Sequence, residues 1–226
     1  MKVVGGTVTL LGTMKITDNI KTSDSSSSNL YFSNDNSTEI SILSDDLGNK
    51  LSTDSRIGVS ARTTPPVKFA EKGDETMEGC FESDNASYTV MRIDSDFYLQ
   101  PIYDNLYYST KSGSGKFYSD SSCSKDTFMT KLSQTMKCAN SGCKIYMMSQ
   151  YVSSADETVD VPAGKDITVY RHSSFTTASM FNITGGIFTV NAPYASSSIA
   201  FDGNNLAASV QYGGAVSYTH LRAPRQ

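Results

Sequence analysis

Two neighbouring stretches decide the predicted fold: VDVPAGKDITVYR at residues 159–171 and MFNITGGIFTV at residues 180–190. In each, apolar and polar residues alternate, a period of two that places one set of side chains on a buried face and the other toward solvent. Glycine, asparagine and aspartate separate these segments and favour tight turns. IAFDGN at residues 199–204 continues the pattern. Short, evenly spaced strands predict an all-β solenoid, in which each coil buries its apolar face against its neighbours.

The beginning of the chain repeats this arrangement. Residues 5–10 and 14–19 match residues 185–190 and 199–204: two glycines, an alternating strand, a gap, and a second strand that ends in an Asp and Asn turn. Chance similarity is the alternative explanation, because the chain is rich in Ser, Thr and Gly. We therefore predict stacked coils at residues 1–70 and 155–216, with these side chains mostly inward: Val8, Leu10, Ile16, Ile40, Ile42, Ile57, Val59, Ile167, Val169, Phe181, Ile183, Phe188, Val190, Ile199 and Phe201.

The pattern changes between the two predicted coil regions. Residues 103–118 are aromatic and rich in Gly and Ser, and residues 111–116 predict a turn or flexible loop. A helix is predicted at residues 126–138, because Ser124-Lys125-Asp126 can cap it and apolar residues recur along one stripe: Phe128, Met129, Leu132 and Met136. A strand is predicted again at residues 144–148.

The run VPAGKDITVYR…FTTASMFNITGGIFTV…IAFDGN…GGAV resembles the opening turns of the right-handed parallel β-helix repeats of large bacterial cell-surface and adhesin-like proteins. Residues 29–61 are similar to the C-terminal turns of the same repeats, and residues 81–90 and 97–99 to their closing strands. The resemblance implies an all-β, pectate-lyase-like solenoid interrupted by a small helical insert. It also implies three segments: 1–101, the end of one β-helix; 102–150, a connecting segment with one short helix; and 151–216, the start of a second β-helix. Residues 217–226 are predicted separately to be a non-native tail.

The last ten residues, SYTHLRAPRQ at 217–226, have neither alternation nor turn punctuation. They resemble the translation of a sequencing adaptor, and a genuine basic tail is the alternative. On the adaptor interpretation we expect these residues to lie outside the coil and to lack an ordered packing partner.

The charge balance bears on the partners. The 226 residues carry 19 Lys and Arg against 23 Asp and Glu, a net charge of −4, which disfavours nucleic acid as a partner because phosphate binding requires a basic face. No apolar run is long enough to predict a membrane span, and no signal peptide is recognisable. A cytoplasmic protein is one interpretation. The resemblance implies instead a fragment of an exported, cell-surface protein whose signal peptide lies upstream.

Four cysteines form the first candidate site: Cys80, Cys123, Cys138 and Cys143. Cys138 and Cys143 have roughly the spacing of half a zinc site, but neither His172 nor His220 is near them in sequence. Disulfides are the favoured prediction, with at least one bridge that involves Cys138 or Cys143, although four cysteines permit three pairings. Free buried thiols are the alternative. We predict no metal and no cofactor.

Acidic pairs are the second candidate, because β-helices also support polysaccharide lyases and glycosidases, which use carboxylates. Asp94 and Asp96 are predicted to share one face of a strand, whereas Asp45-Asp46 and Asp156-Glu157 are adjacent in sequence and would not. No basic residue accompanies them in the arrangement that a lyase requires. Solvated surface charge is therefore the favoured interpretation, and no catalytic residue is assigned.

Tyrosines are the third candidate, since Tyr combines a flat apolar face with a hydroxyl and suits sugar or protein contact. Cross-strand packing explains them equally well. The candidates are Tyr31, Tyr88, Tyr98, Tyr103, Tyr107, Tyr108 and Tyr118. The sequence thus leads to the expectation of a non-catalytic surface module for display, adhesion or a stalk. Its expected partners are host or cell-wall glycans or surface proteins, and a carbohydrate-active β-helix enzyme is the alternative.

Overall fold

A computed structural model describes residues 2–3, 6–20, 29–32, 38–42, 48–175, 179–203 and 216–219. For the strand residues 2–3, 6–7, 32, 38–42 and 216–219 it describes the backbone alone. The described residues are predominantly β and are arranged in several sheets. The chain forms two compact units, Met1–Ile102 and Tyr103–Gln226.

The first unit consists of short strands and one 3-10 helix in its described part. In chain order these elements are β1 Lys2–Val3, β2 Gly6–Thr9, β3 Lys15–Ile16, β4 Leu30–Phe32, β5 Thr38–Ile42, β6 Arg56–Ala61, β7 Val67–Ala70, the 3-10 helix Glu75–Cys80, β8 Phe81–Ser83, β9 Tyr88–Ile93 and β10 Asp96–Pro101.

Strands of the first unit that are distant in sequence pair in parallel. In one sheet β6 lies between β4 and β3 on one side and β8 on the other, with Leu30 opposite Val59 and Ile57 opposite Phe81. In the other sheet β2, β5 and β7 are parallel, and the antiparallel strands β10 and β9 follow. Parallel stacks therefore give way to a hairpin toward the end of this unit.

Apolar side chains from both sheets form the core of the first unit. The rings of Phe69 and Phe81 lie 5.3 Å apart, and those of Phe81 and Phe97 lie 5.4 Å apart. Aromatic pairs at this separation add to the stabilisation from area burial alone. Among the predicted inward residues of this unit, Leu10, Ile57 and Val59 are buried, and Val8 and Ile16 are half-buried. The side chains of Ile40 and Ile42 lie outside the described residues.

The second unit contains ten described strands and one α-helix. They are β11 Tyr103–Ser109, β12 Lys116–Tyr118, α1 Leu132–Cys138, β13 Ala139–Met147, β14 Tyr151–Ser153, β15 Glu157–Asp160, β16 Asp166–Arg171, β17 Phe181–Ile183, β18 Phe188–Asn191, β19 Ser198–Asp202 and β20 Val216–Thr219. Within the predicted connecting segment the structure has strands at Tyr103–Ser109 and Lys116–Tyr118, with a turn between them. It confirms the strand predicted at residues 144–148 through residue 147.

The strands of the second unit stack in three parallel ladders. The first ladder contains β11, β13, β16 and β19, with β12 antiparallel to β11. The second contains β14 and β17, and the third contains β15, β18 and β20. Chain order therefore visits the three ladders in turn, through β13, β14 and β15 and then through β16, β17 and β18.

Alternation orients the side chains of these strands as predicted. The inward residues Ile167, Val169, Ile183, Phe188, Val190 and Ile199 are buried, while Phe181 and Phe201 are half-buried. Outward carboxylates bond to the next strand of the stack: Asp156 accepts from the Ile187 N–H at 2.8 Å, Asp160 from the Asn191 side-chain amide at 3.0 Å, and Asp166 from the Ser198 hydroxyl at 2.7 Å. Each bond joins residues 31 or 32 positions apart.

The predicted helix at residues 126–138 is wrong in its first half, because α1 spans Leu132–Cys138. Phe128 has a φ of 65°, in the left-handed region, and its N–H donates to the Asp126 carboxylate at 2.8 Å. Asp126 thus closes a turn of its own and does not cap the helix. Gln134 Oε1 instead accepts from the Thr130 and Lys131 N–H groups at 2.9 and 3.0 Å, just before the first turn.

The structure also differs from the expectation for the final decapeptide. Residues 217–219 belong to β20, which pairs in parallel with β18, so that Ser217 lies opposite Thr189 and Tyr218 opposite Val190. Backbone pairing therefore extends into this segment. Residues 220–226 lie outside the described part of the chain.

Candidate functional site

The outer face of the first ladder of the second unit carries a stack of tyrosines. The parallel register places Tyr107 beside Tyr146 and Tyr146 beside Tyr170. The Tyr107 and Tyr146 rings are 5.0 Å apart with 13° between their planes, and those of Tyr146 and Tyr170 are 5.6 Å apart with 21°. All three are half-buried. Because the rings face one another, the stack presents edges and hydroxyl groups outward.

Alternation explains why these tyrosines face outward. Ile145 and Met147 flank Tyr146, Val169 and Arg171 flank Tyr170, and all four flanking residues are buried. Desolvation raises the pKa of Tyr107 above its usual value, and the neighbouring Tyr146 raises it further. The hydroxyl therefore remains protonated at neutral pH and can both donate and accept a hydrogen bond.

Polar and cationic groups border the tyrosine stack. Lys144 precedes Tyr146 by two positions, is exposed, and places Nζ 5.8 Å from the centroid of the Tyr170 ring. His172 follows Tyr170 by two positions, and its ring meets that of Tyr146 edge-on at 6.2 Å. This face thus combines aromatic edges, hydroxyl groups, the Lys144 ammonium group and the His172 imidazole, which suits contact with a polar partner.

A loop held by Asp120 lies near the same face. The Asp120 carboxylate accepts hydrogen bonds from the Ser122 hydroxyl, from Ser124 N–H and Oγ at 3.0 and 2.8 Å, and from the Lys125 N–H at 2.7 Å. The Ser122 bond is the largest of the causes that hold the pKa of this carboxyl well below its usual range. The loop also carries Cys123, whose Sγ lies 3.6 Å from the Met148 Sδ.

The structure separates the seven tyrosines proposed as contact residues into two groups. Tyr103, Tyr108 and Tyr118 are buried, so they are wrong as contact residues and belong to the packing alternative. Burial also raises the pKa of Tyr103 and Tyr108 above its usual range. Tyr31, Tyr88, Tyr98 and Tyr107 are half-buried, and only Tyr107 belongs to the stack. Tyr146 and Tyr170 were not among the predicted contact residues, although alternation about residues 144–148 and 166–171 marks both as outward.

The cysteines form no disulfide in the structure. All four are free thiols, in contrast to the predicted bridge at Cys138 or Cys143. Cys80 contacts the Ser52 carbonyl at 3.3 Å, and Cys138 Sγ lies 3.4 Å from the Met129 Sδ. Burial raises the pKa of Cys138 and of Cys143 to about 12, so both thiols are neutral at physiological pH.

The prediction that Asp94 and Asp96 share a strand face is wrong. Asp94 lies in the turn between β9 and β10 with a φ of 56°, whereas Asp96 begins β10. Asp96 lies 3.7 Å from the Lys68 ammonium group. Both positions are compatible with surface charge.

Metal sites built from carboxylates, histidines and cysteines are not found in the part of the chain that the structure describes, where no three such residues group together. Within the same residues, no helix has the length and apolar character needed to cross a membrane. Comparison with known proteins found no matching family model, curated protein or solved structure.

Proposed function

We propose that this chain is a non-catalytic, extracellular surface module built from turns of two right-handed parallel β-helices, and that it acts in display, adhesion or as a stalk. The supporting observation is the stacking in the second unit, where strands distant in sequence form three parallel ladders that the chain visits in turn. A coil of this kind extends by adding turns and offers a long flank for contact.

Outward carboxylates of the second unit support a structural role over a catalytic one. Asp156, Asp160 and Asp166 each accept a hydrogen bond from the neighbouring strand of the stack. A glycosidase needs two carboxylates that flank a substrate bond, one to donate a proton and one to act as nucleophile or base. Carboxylates that join successive coils are instead engaged in holding the stack together.

The tyrosine stack is the proposed contact surface. Tyr107, Tyr146 and Tyr170 form a row across three strands, with Lys144 and His172 on either side. Preorganised tyrosine edges and hydroxyl groups lose little conformational entropy on contact with a partner. Glycans and surface proteins of a host or of a cell wall are the partners that this chemistry suits.

Adhesion can be tested by binding of the purified chain to arrayed glycans and to immobilised cell-surface proteins. Tyr146→Ala removes the central ring of the stack, and we expect it to weaken binding about tenfold or more, as loss of a central aromatic contact does. Tyr194→Ala is the matched control, because Tyr194 is 52% exposed at a turn outside the stack. Equal binding by wild type and Tyr146→Ala would place the contact elsewhere.

Catalysis is tested separately on pectin, alginate and xylan. We expect neither unsaturated products nor new reducing ends from the purified chain. Reproducible turnover that survives further purification would contradict this proposal and support the alternative, a carbohydrate-active enzyme.

A further inference from the structure

The tyrosine stack also has the geometry of a site for oxidative cross-linking, a use distinct from adhesion. Tyr107 and Tyr146 lie opposite each other in the parallel register of β11 and β13, with ring centroids 5.0 Å apart and 13° between the ring planes. Adjacent strands of a sheet are about 4.8 Å apart, so the separation of the rings is close to that of the strands. The ladder itself therefore holds this pair face to face.

The same pair is accessible from solvent. Tyr107 and Tyr146 are both half-buried, and neither hydroxyl group has a hydrogen-bond partner among the residues that the structure describes. A phenol in this position can release its proton to water without breaking an internal hydrogen bond. Rotation of each ring about its Cβ–Cγ bond, a torsion with a broad energy minimum, brings the ring carbons next to the hydroxyl groups toward each other.

Another tyrosine pair of the second unit lacks these properties. The Tyr108 and Tyr151 rings are also 5.0 Å apart, but their planes are inclined by 60° and both residues are buried. The Tyr151 hydroxyl group is engaged, because it donates a hydrogen bond to the Glu157 carboxylate. Distance alone therefore does not distinguish the two pairs, whereas exposure, parallel ring planes and free hydroxyl groups do.

We propose that Tyr107 and Tyr146 are a modification site, at which hydrogen peroxide and a haem peroxidase join the two rings as dityrosine. Each hydroxyl group loses one proton and one electron, and the two phenoxyl radicals form one carbon–carbon bond between ring positions next to the oxygen atoms. The hydrogens on those carbons then move to the oxygen atoms as protons, and the rings become aromatic again. Hydrogen peroxide accepts the two electrons and the two protons and becomes two molecules of water.

The geometry favours this pair over the other pair of the stack. The Tyr146 and Tyr170 rings are farther apart, at 5.6 Å, and less parallel, with 21° between their planes. Lys144 Nζ lies 5.8 Å from the centroid of the Tyr170 ring. A cation is attracted to an electron-rich ring, so its presence disfavours the removal of an electron from Tyr170. We therefore expect the bond to join Tyr107 and Tyr146.

The cross-link would join β11 and β13 covalently. Tyr107 and Tyr146 are 39 positions apart in the sequence, and a covalent bond between distant residues stabilises a fold by restricting the unfolded chain. The oxidised chain should therefore unfold at a higher temperature than the untreated chain. Oxidation requires no adhesion partner, so the failure of glycan or protein binding and the failure of cross-linking are separate outcomes.

The test is oxidation of the dilute full chain by hydrogen peroxide and a haem peroxidase. Cys123 is first alkylated with iodoacetamide, because a thiol near Tyr107 would reduce the tyrosyl radical. The monomeric product is digested, and cross-linked peptides are identified by dityrosine fluorescence and by the loss of two hydrogen atoms in mass spectrometry. We expect one cross-link, between Tyr107 and Tyr146, and a rise in the midpoint of thermal unfolding.

Phenylalanine variants keep the rings and remove the phenol. Tyr107→Phe and Tyr146→Phe should each lose the cross-link, whereas Tyr170→Phe, within the stack, and Tyr194→Phe, at an exposed turn outside it, should retain it. Far-UV circular dichroism before oxidation establishes that each variant is folded.

Free tyrosine, treated in parallel, shows that the oxidant is active. Absence of dityrosine from the wild type under these conditions would overturn the proposal. A cross-link between any other two tyrosines, dityrosine in dimers only, or a wild-type yield in Tyr146→Phe would overturn it as well.

Discussion

The Tyr151 hydroxyl donates a hydrogen bond to Oε2 of Glu157 at 2.6 Å, and both residues are buried. The same hydroxyl accepts from the Leu132 N–H at 2.9 Å, and Glu157 Oε1 accepts from the Ser133 N–H at 2.8 Å. These two N–H groups belong to the first turn of α1, where a helix has no internal acceptors. Side chains of β14 and β15 thus satisfy the start of α1 and join it to the strand stack.

Loss of the Tyr151 hydroxyl tests this junction. Tyr151→Phe leaves the Leu132 N–H and one oxygen of Glu157 buried without their partner, and we expect the free energy of unfolding to fall by about 1–3 kcal/mol. Tyr194→Phe removes a hydroxyl from an exposed ring and should change it by less than about 0.5 kcal/mol. Urea unfolding measures both, and equal stability of the two variants would contradict the role given to Tyr151.

Gly186→Ala tests how closely the turn before β18 approaches the chain before β15. Gly186 has a φ of 69°, and an added Cβ would lie 2.4 Å from the Ala155 carbonyl carbon and 2.5 Å from the Asp156 nitrogen. Gly164 has a φ of 74°, but a Cβ there would meet nothing within 4 Å. Both substitutions place alanine in the left-handed region, which costs about 1–2 kcal/mol of the free energy of unfolding. We expect Gly186→Ala to lower this free energy by about 1–3 kcal/mol more, because of the clash. Thermal unfolding of both variants measures the difference, and an equal loss of stability in both would mean that the chain around Ala155 moves aside easily.

Gly58→Ala tests a buried polar contact in the first unit. The Asn29 N–H and side-chain amide both donate to the Asp84 carboxylate, and Asn29 is 4% exposed. A Cβ at Gly58 would lie 2.3 Å from Asn29 Nδ2 and 2.4 Å from Asp84 Oδ1. We expect displacement of this pair to cost about 1–3 kcal/mol.

Gly79→Ala is the control for Gly58→Ala, since a Cβ there meets nothing within 4 Å. Hydrogen-exchange mass spectrometry over residues 48–102 should show faster exchange in Gly58→Ala and wild-type exchange in Gly79→Ala. Unchanged protection in both variants would show that the Asn29 and Asp84 contact contributes little.

Because two cysteine thiols are buried, we expect the protein to lose stability at high pH. Burial raises the pKa of Cys138 and Cys143 from 9.0 to about 12, so below pH 9 these thiols keep their protons in both the folded and the unfolded chain. Between pH 9 and 12 the unfolded chain releases protons that the folded chain retains, which favours unfolding by up to about 1.4 kcal/mol per pH unit for each thiol. Desolvation raises the pKa of buried Tyr151 as well, which acts in the same direction above pH 10.

Urea unfolding between pH 8 and 11 measures this effect. We expect the free energy of unfolding to decline above pH 9, with a shallower decline in Cys143→Ala. A stability that is constant or rising between pH 9 and 11 would contradict the burial of these thiols.

Local alternation made much of the fold predictable. The period of two along residues 159–171 correctly places Ile167 and Val169 inward, because that pattern depends only on the strand itself. The start of α1 was not predictable in this way. The apolar stripe includes Phe128, but its N–H bonds to Asp126 and its backbone turns into the left-handed region.

The candidate site depended on information that one sequence does not contain. Outward positions for Tyr146 and Tyr170 follow from alternation, but their stacking follows from the register between β13 and β16. Alternation determines which face a side chain occupies, but the register between two strands also depends on the connection between them. The prediction for Asp94 and Asp96 failed for a related reason, because a hairpin turn interrupts the alternation between them.

The corner between β16 and β17 has a consequence for how this architecture can vary in length. Ile145 pairs with Val169, 24 residues later, whereas Tyr151 pairs with Phe181, 30 residues later. The difference lies in the corners, since three residues join β13 to β14 and nine join β16 to β17. The parallel pairing is thus the same although the two connections differ in length. Lengthening a surface loop costs little in closure entropy. A peptide can therefore be inserted between β16 and β17, by evolution or by design, without a change in which strands pair.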